Sequence, residues 1–279
     1  MSFLSLAKQT EIIGGLVEGN SIRSMERMTG THRDTIMRLA LRVGEGCKRI
    51  MDEELRELEC RRIQADEIWA YVGKKQRQVT PNDNAAQVGD FYTFVAIDAD
   101  SKLVPSFFVG KRDGRSARAF MNDLAGRMSN RCQLSTDAFG AYVTAIEEAF
   151  GANADYGQIV KFYDSDHSHG RYSPPQCIGA SRAVISGRPD PAHISTSYIE
   201  RQNLTMRMSM RRFTRLTNGF SKKVEGLKAA VALHFCHYNF ARLHSATRVT
   251  PAMAAGVTNR VWELEEIVER TAWTGAEKS

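Results

Sequence analysis

Three acidic residues stand out in this sequence because their local settings suit metal chemistry. Asp66 lies inside a strand-like run, Ile63-Gln-Ala-Asp-Glu-Ile-Trp-Ala-Tyr-Val72. A buried carboxylate there is unfavourable unless something compensates its charge. Asp137 ends a second such run, Cys132-Gln-Leu-Ser-Thr136, and the carboxyl ends of strands are where open α/β sheets form their ligand crevice. Glu200 falls in a helical stretch running from about Ser195 to Arg212. Hard divalent cations take oxygen ligands held on rigid elements, and a pair of them can serve an in-line displacement at phosphorus. Carboxylates select Mg²⁺ or Mn²⁺, whereas zinc would call for His or Cys.

Spacing alone leaves this open, since the chain has 32 acidic residues and Asp98, Asp100, Asp164 and Asp166 compete. Asp66 could equally be a satisfied strand-edge group, Asp137 a helix N-cap and Glu200 a surface ion-pair partner. The surroundings favour the metal reading. Asn203 and Arg207 follow Glu200 at i+3 and i+7 and share its helix face. Between 201 and 228 stand Arg201, Arg207, Arg211, Arg212, Arg215, Lys222, Lys223 and Lys228 against the single acid Glu225, so 8 − 1 = +7, more than the +6 of the whole chain. A solvated helix face interleaves both signs; a basic stripe beside an acidic site suits a phosphate backbone.

The elements that must position these groups follow from periodicity. Residues 1–46 read as three short helices, with Thr31 and Asp34 in capping-box positions before the third. Ile36, Leu39, Ala40 and Val43 make the inner face of that helix, leaving Arg33, Arg38 and Arg42 outside. This is a helix-turn-helix pattern whose last helix can enter a major groove, or else a plain trihelical cap with a solvated basic face. Residues 47–62 are charged and read as a linker helix. From 63 the order is three strands, helix, strand, helix, strand, then helices, giving a mixed α/β sheet with helices on both faces over 63–245. Residues 164–195 form a loop-rich insertion with a hairpin expected around Cys177 to Ser186, and 246–279 a helical extension.

Composition removes other classes. The five cysteines are widely spaced with no C-x-x-C, which argues against a disulfide framework or a four-cysteine zinc site. His167, His169, Cys177 and His193 offer no tight ligand pair beyond His-x-His. His234 and His237 fall on an apolar helix and read as core or interface residues, and Trp69 and Tyr71 read as packing residues. Glu67 could be an auxiliary ligand, but strand alternation turns it to the face opposite Asp66. No apolar run is long enough for a membrane span, and a cytoplasmic location with no membrane partner is expected.

Several blocks together resemble the transposases of the insertion-sequence-one family, within the DDE superfamily. They are Asp66-Glu-Ile-Trp-Ala-Tyr-Val-Gly-Lys-Lys75, Ser135-Thr-Asp-Ala-Phe-Gly-Ala-Tyr142 and Ser197-Tyr-Ile-Glu-Arg-Gln-Asn-Leu-Thr-Met-Arg207. Arg211 to Lys223, Tyr238-Asn-Phe and Thr250-Pro251 extend the likeness, which covers roughly 60 to 255. The resemblance implies a ribonuclease H-like fold with Asp66, Asp137 and Glu200 as catalytic ligands of two Mg²⁺ or Mn²⁺ ions. It implies cleavage of element ends by water, then attack of the freed 3′ hydroxyl on target DNA, with Arg207 near the transferred end. Some relatives carry a cysteine-rich zinc module at the front; without one, end recognition falls to the helix-turn-helix. The DNA-contacting set expected is Arg33, Arg38, Arg42, Lys74, Lys75, Arg201, Asn203, Arg207, Arg211, Arg212, Arg215, Lys222 and Lys223, on double-stranded DNA and in a homo-oligomer, with a dimer expected. A metal-dependent nuclease that does not join, and an inactive DNA-binding regulator, are the alternatives.

Overall fold

The computed structural model describes residues 4–163, 177–214 and 217–272. Three helices open the chain: α1 (Leu6–Val17), α2 (Ile22–Thr29) and α3 (Arg33–Glu54). Gly30, in the left-handed conformation at φ 69°, closes α2 and turns the chain into α3. His32, rather than Thr31, caps α3, accepting from the Asp34 amide through Nδ1. α3 is one unbroken helix of 22 residues. The separate helix expected over 47–62 is therefore the second half of α3 followed by non-helical chain that enters β1. Nothing in Gly44-Glu-Gly46-Cys47 breaks α3, because both glycines are used for close helix packing.

A six-stranded mixed sheet follows, in the order β3-β2-β1-β4-β5-β6. Its strands are β1 (Arg62–Val72), β2 (Gly89–Asp98), β3 (Phe107–Gly110), β4 (Cys132–Asp137), β5 (Ala154–Tyr163) and β6 (Cys177–Ser186). β1 is antiparallel to β2 and parallel to β4, and β4 is parallel to β5. The central strands are rich in β-branched and aromatic residues that suit a pleated, buried surface. The hairpin expected within 177–186 is instead one ten-residue strand, the far arm of an antiparallel pair with β5.

One face of the sheet carries α4 (Gly114–Ala125) and α5 (Ala141–Phe150). Phe94 of β2 meets Phe120 of α4 and Tyr142 of α5 there, with ring centroids 5.8 and 6.3 Å away. The other face carries α6 (Ser197–Ser209), whose first turn is anchored by Gln64 of β1: the Tyr198 and Ile199 amides donate to its Oε1. α7 (Val224–Phe240) lies against the chain entering β3, where Asn239 both accepts from the Val104 amide and donates to the Val104 carbonyl. The short α8 (Pro251–Ala254) and α9 (Leu264–Ala272) complete the described chain.

One apolar cluster runs continuously from Ile12 on α1 to Val268 on α9. The N-terminal helices are clamped to the rest by glycine-mediated contacts. A Cβ on Gly44 would lie 2.3 Å from the Ala229 carbonyl oxygen of α7, and one on Gly46 2.4 Å from Thr271 Cβ of α9. Buried Arg127 adds a polar tie, pairing with Asp52 of α3 and Asp123 of α4. No described helix is long and apolar enough to cross a membrane.

Candidate metal and nucleic-acid site

The β1–β4 register brings two of the three acids together. The parallel pairing ends at Ala65↔Thr136, so the next residue on each strand, Asp66 and Asp137, sits side by side where that pairing stops. Neighbouring strands lie about 4.8 Å apart, which sets the scale of that approach. Carboxylate oxygens of Asp66, Glu67 and Asp137 all lie within 4.8 Å of one another.

Glu67 belongs to this group although alternation turns it to the opposite face of β1 from Asp66. Asp66 faces α6, where Asn203 Nδ2 donates to its Oδ2 at 2.9 Å. Glu67 faces α5, with a side chain only 3% exposed. Asp137 serves both because it is the last residue of β4, one past the end of the pairing with β1 though still paired with Ile159 of β5, and its carboxylate lies within reach of both acids. The Phe139 amide holds it in place by donating to its Oδ1 at 3.0 Å. Glu67 thus takes the face that alternation gives it, yet its carboxylate stays within reach of the other two.

Glu200 lies in the same cleft but outside the tight group. It is on the first turn of α6, 45% exposed, and is paired with Lys161 of β5. The Thr196 hydroxyl also donates to its Oε1, at 2.5 Å. The cleft has a volume of about 410 Å³ and contains Asp66, Asp137 and Glu200 together with Arg112, Phe139 and Lys161. Arg112 lies between the acids, its Nε 3.6 Å from Glu67 and its Nη2 3.7 Å from Asp137, over the Phe139 ring.

The electrostatics are those of a crowded anion cluster. Burial pushes the Asp66 carboxyl up to about 6, and the Asp137 and Glu200 charges add to it against the pull of Lys161 and a backbone hydrogen bond. Burial likewise pushes Glu67 up to about 7, again with Asp137 and Asp66 adding. The wholly buried Tyr142 hydroxyl is raised too, first by burial and then by the Glu67 charge. Glu67 Oε1 and Asn203 Oδ1 are buried without a hydrogen-bond partner. Carboxylate oxygens at this spacing, one of them lacking a partner, with a neutral amide oxygen also unpaired beside Asp66, fit a hard divalent cation. Among the described residues no other cluster of metal-ligating side chains reaches this density.

The expected DNA-contacting residues divide by what they touch. Arg33, Arg38, Lys75, Arg201, Arg211, Lys222 and Lys223 are exposed. Arg42 turns inward to Gln9 of α1, and Lys74 is bound by both Asp83 oxygens, at 2.7 and 2.9 Å. Arg212 donates to the Ser221 hydroxyl at 2.7 Å, and burial lowers its pKa. Asn203 is committed to Asp66, and Arg207 lies one turn further along α6. Arg215 lies outside the described residues, as do His167 and His169 of the weighed zinc set. Of that set, Cys177 is exposed, and His193 is engaged by Arg62.

Arg112, Lys161 and Thr196 line the cleft as well, beyond the residues expected from sequence. Lys161 carried a signal: it stands two residues beyond Ile159, the β5 partner of Asp137, and so on the same edge. Arg112 carried none, since the Lys111-Arg112-Asp113 turn between β3 and α4 has no period to read.

No protein-family model matches the chain, and no curated protein matches it. Among solved structures it is similar to the piggyBac transposase of a synaptic complex with hairpin DNA, with a TM-score of 0.43 and 8% identity over 95% of this chain and 69% of that one. It is also similar to the Mos1 transposase of a paired-end complex with the left transposon end, with a TM-score of 0.23 and 11% identity over 56% of this chain and 60% of that one. Likeness at this level assigns neither activity nor residues, and the chemistry rests on the cleft itself.

Proposed function

We propose that the chain is a DDE transposase with a ribonuclease H-like catalytic core, acting on double-stranded DNA through two divalent cations, Mg²⁺ or Mn²⁺. The single observation that carries this reading is the meeting of Asp66 and Asp137 where the pairing of β1 with β4 stops, with Glu200 lining the same cleft. Asp66, Asp137 and Glu200 are the proposed ligands, and Glu67 joins them because its carboxylate shares their space. Bound cations would supply Lewis-acid activation of an attacking oxygen and charge stabilisation at phosphorus.

The chain's own residues do the rest. Asn203 orients Asp66 by a hydrogen bond, and the Phe139 amide orients Asp137. Thr196 and Lys161 hold Glu200 at the cleft wall, from which it can turn toward the other acids. Arg201, Arg211, Lys222 and Lys223 are exposed cations suited to following the DNA backbone. Arg33 and Arg38, on the exposed face of α3, suit recognition of the element's ends by a helix-turn-helix.

The test uses the full chain, labelled duplexes covering the DNA on either side of its reading frame, and a supercoiled plasmid, in Mg²⁺ buffer. Joined plasmid products support the reading, and Asp137→Asn abolishes them while leaving duplex binding intact. Cleavage without joining would make the protein a nuclease. Binding without either would make it a regulator.

A further inference from the structure

Arg112 sits in the middle of the acid cluster, yet it is poorly fastened there. Its two approaches to carboxylates, 3.6 Å to Glu67 and 3.7 Å to Asp137, are too long for hydrogen bonds. A guanidinium that is locked to a carboxylate makes two parallel short bonds, and this one makes neither. Its side chain is 38% exposed. It springs from the turn at 111–113, between β3 and α4, so moving it breaks no strand or helix hydrogen bond. What holds it is charge on one side and the Phe139 ring on the other, with Cζ 4.0 Å from the ring centroid.

We propose that Arg112 is a positioning residue that exchanges partners: it neutralises Glu67 and Asp137 until a cation takes its place, and then binds a DNA phosphate entering the cleft. This rests on the reading of the cleft as a metal and DNA site. A divalent cation held by Asp66, Glu67 and Asp137 takes over the negative charge that now attracts the guanidinium. Two cations a few ångströms apart at a partly dry surface repel, so Arg112 leaves the acids. Phe139 gives it a platform to pivot on, because an arginine plane stacks on an aromatic face without desolvating its edge donors. The forked donor edge then faces a cleft that Lys161 also lines, and that fork matches a phosphodiester.

The experiment compares wild type, Arg112→Gln and Arg112→Lys as full-length proteins. Mn²⁺ binding is followed by loss of the free-ion paramagnetic resonance signal without DNA. Binding of a short duplex of arbitrary sequence is followed by fluorescence anisotropy, once in EDTA and once at saturating Mn²⁺. Arg112→Gln is expected to bind Mn²⁺ roughly three- to tenfold more tightly than wild type, because the competing charge is gone. It is expected to bind the duplex equally in EDTA but at least about threefold more weakly with metal present. Arg112→Lys keeps the charge but loses the fork, so its Mn²⁺ affinity stays near wild type while its metal-dependent duplex affinity falls. Thermal melts in EDTA confirm folding of each variant. Unchanged Mn²⁺ affinity in Arg112→Gln, or a duplex defect of equal size with and without metal, overturns the proposal. If Mn²⁺ binds wild type and not Asp137→Asn, the metal reading survives that failure; if Mn²⁺ does not bind wild type, both fall together.

Discussion

Replacing Asp137 by Asn is expected to stabilise the metal-free protein near neutral pH while destroying its response to metal. Asp66 is raised from 3.8 to about 6 and Glu67 from 4.5 to about 7. Each shift corresponds to about 3 kcal/mol of folded-state penalty once the group is ionised. Burial accounts for the largest part in both, and the Asp137 charge is the next cause that raises them. Removing that charge therefore relieves only a fraction, on the order of 1–2 kcal/mol after allowing for solvent screening of a partly exposed partner. For a chain of this size that is a rise of about 2–6 °C in melting temperature.

The sign sets the pH window. Both folded-state values lie above the unfolded ones, so the folded protein holds protons that the unfolded chain has already released. This contribution to stability is full below the unfolded values near 4 and is lost as pH rises through about 6 to about 7. The gain from Asp137→Asn should thus be largest at about pH 8 and largely vanish by about pH 4.5. Saturating Mg²⁺ reverses the order: wild type gains stability by mass action and the variant does not. Calorimetric melts of both proteins in EDTA and in Mg²⁺, at the two pH values, read all four quantities. A variant less stable than wild type in EDTA at the higher pH, or a gain that persists unchanged in acid, would falsify the picture of mutually repelling acids.

Other perturbations test the frame around the site. Burial drives His234 down from 6.5 to about 3, so it stays neutral in the fold while the unfolded chain takes up a proton. Its contribution is complete above 6.5 and is lost at about 1.4 kcal/mol per pH unit below that, and His234→Leu should flatten the urea midpoint between about pH 6.5 and 5. Gly44→Ala places a methyl 2.3 Å from the Ala229 carbonyl oxygen. It should cost about 2–3 kcal/mol and selectively raise amide exchange in α1 to α3, and a neutral result would mean that the α3–α7 contact is looser than described. Arg127→Met takes the shared cation from Asp52 and Asp123, which keep only Lys48 and Ser106, and removes one donor from the Met51 carbonyl, so it should lower stability by about 1–3 kcal/mol in denaturant titration.

Much of the sheet was legible from residue order because period-two runs have one structural meaning. β1, β2 and β4 fall where Ile63 to Val72, Phe91 to Ile97 and Cys132 to Thr136 place them, and α5 spans Ala141–Phe150 as read. Asp66 and Asp137 could be singled out because each interrupts or ends such a run. The limits of α3 were not legible, since whether Gly44 and Gly46 stop a helix depends on whether Ala229 and Thr271 arrive to use the space they leave. The cap on α3 was equally hidden, because Thr31 and His32 compete for one turn and His32 holds it.

The site shows the same division. The sequence by itself determined which carboxylates stand on which elements, because the apolar pattern around each one fixes strand or helix and face. Only the tertiary structure decided which of them meet. Alternation assigns Glu67 to the far face, but the end of β4 places the Asp137 carboxylate where both faces of β1 can reach it. Arg112 enters from a turn with no periodicity, brought in by the crossover from β3 through α4 to β4. Local pattern is a property of neighbours along the chain, whereas the distance between two charges depends on strand register and on where each ladder stops.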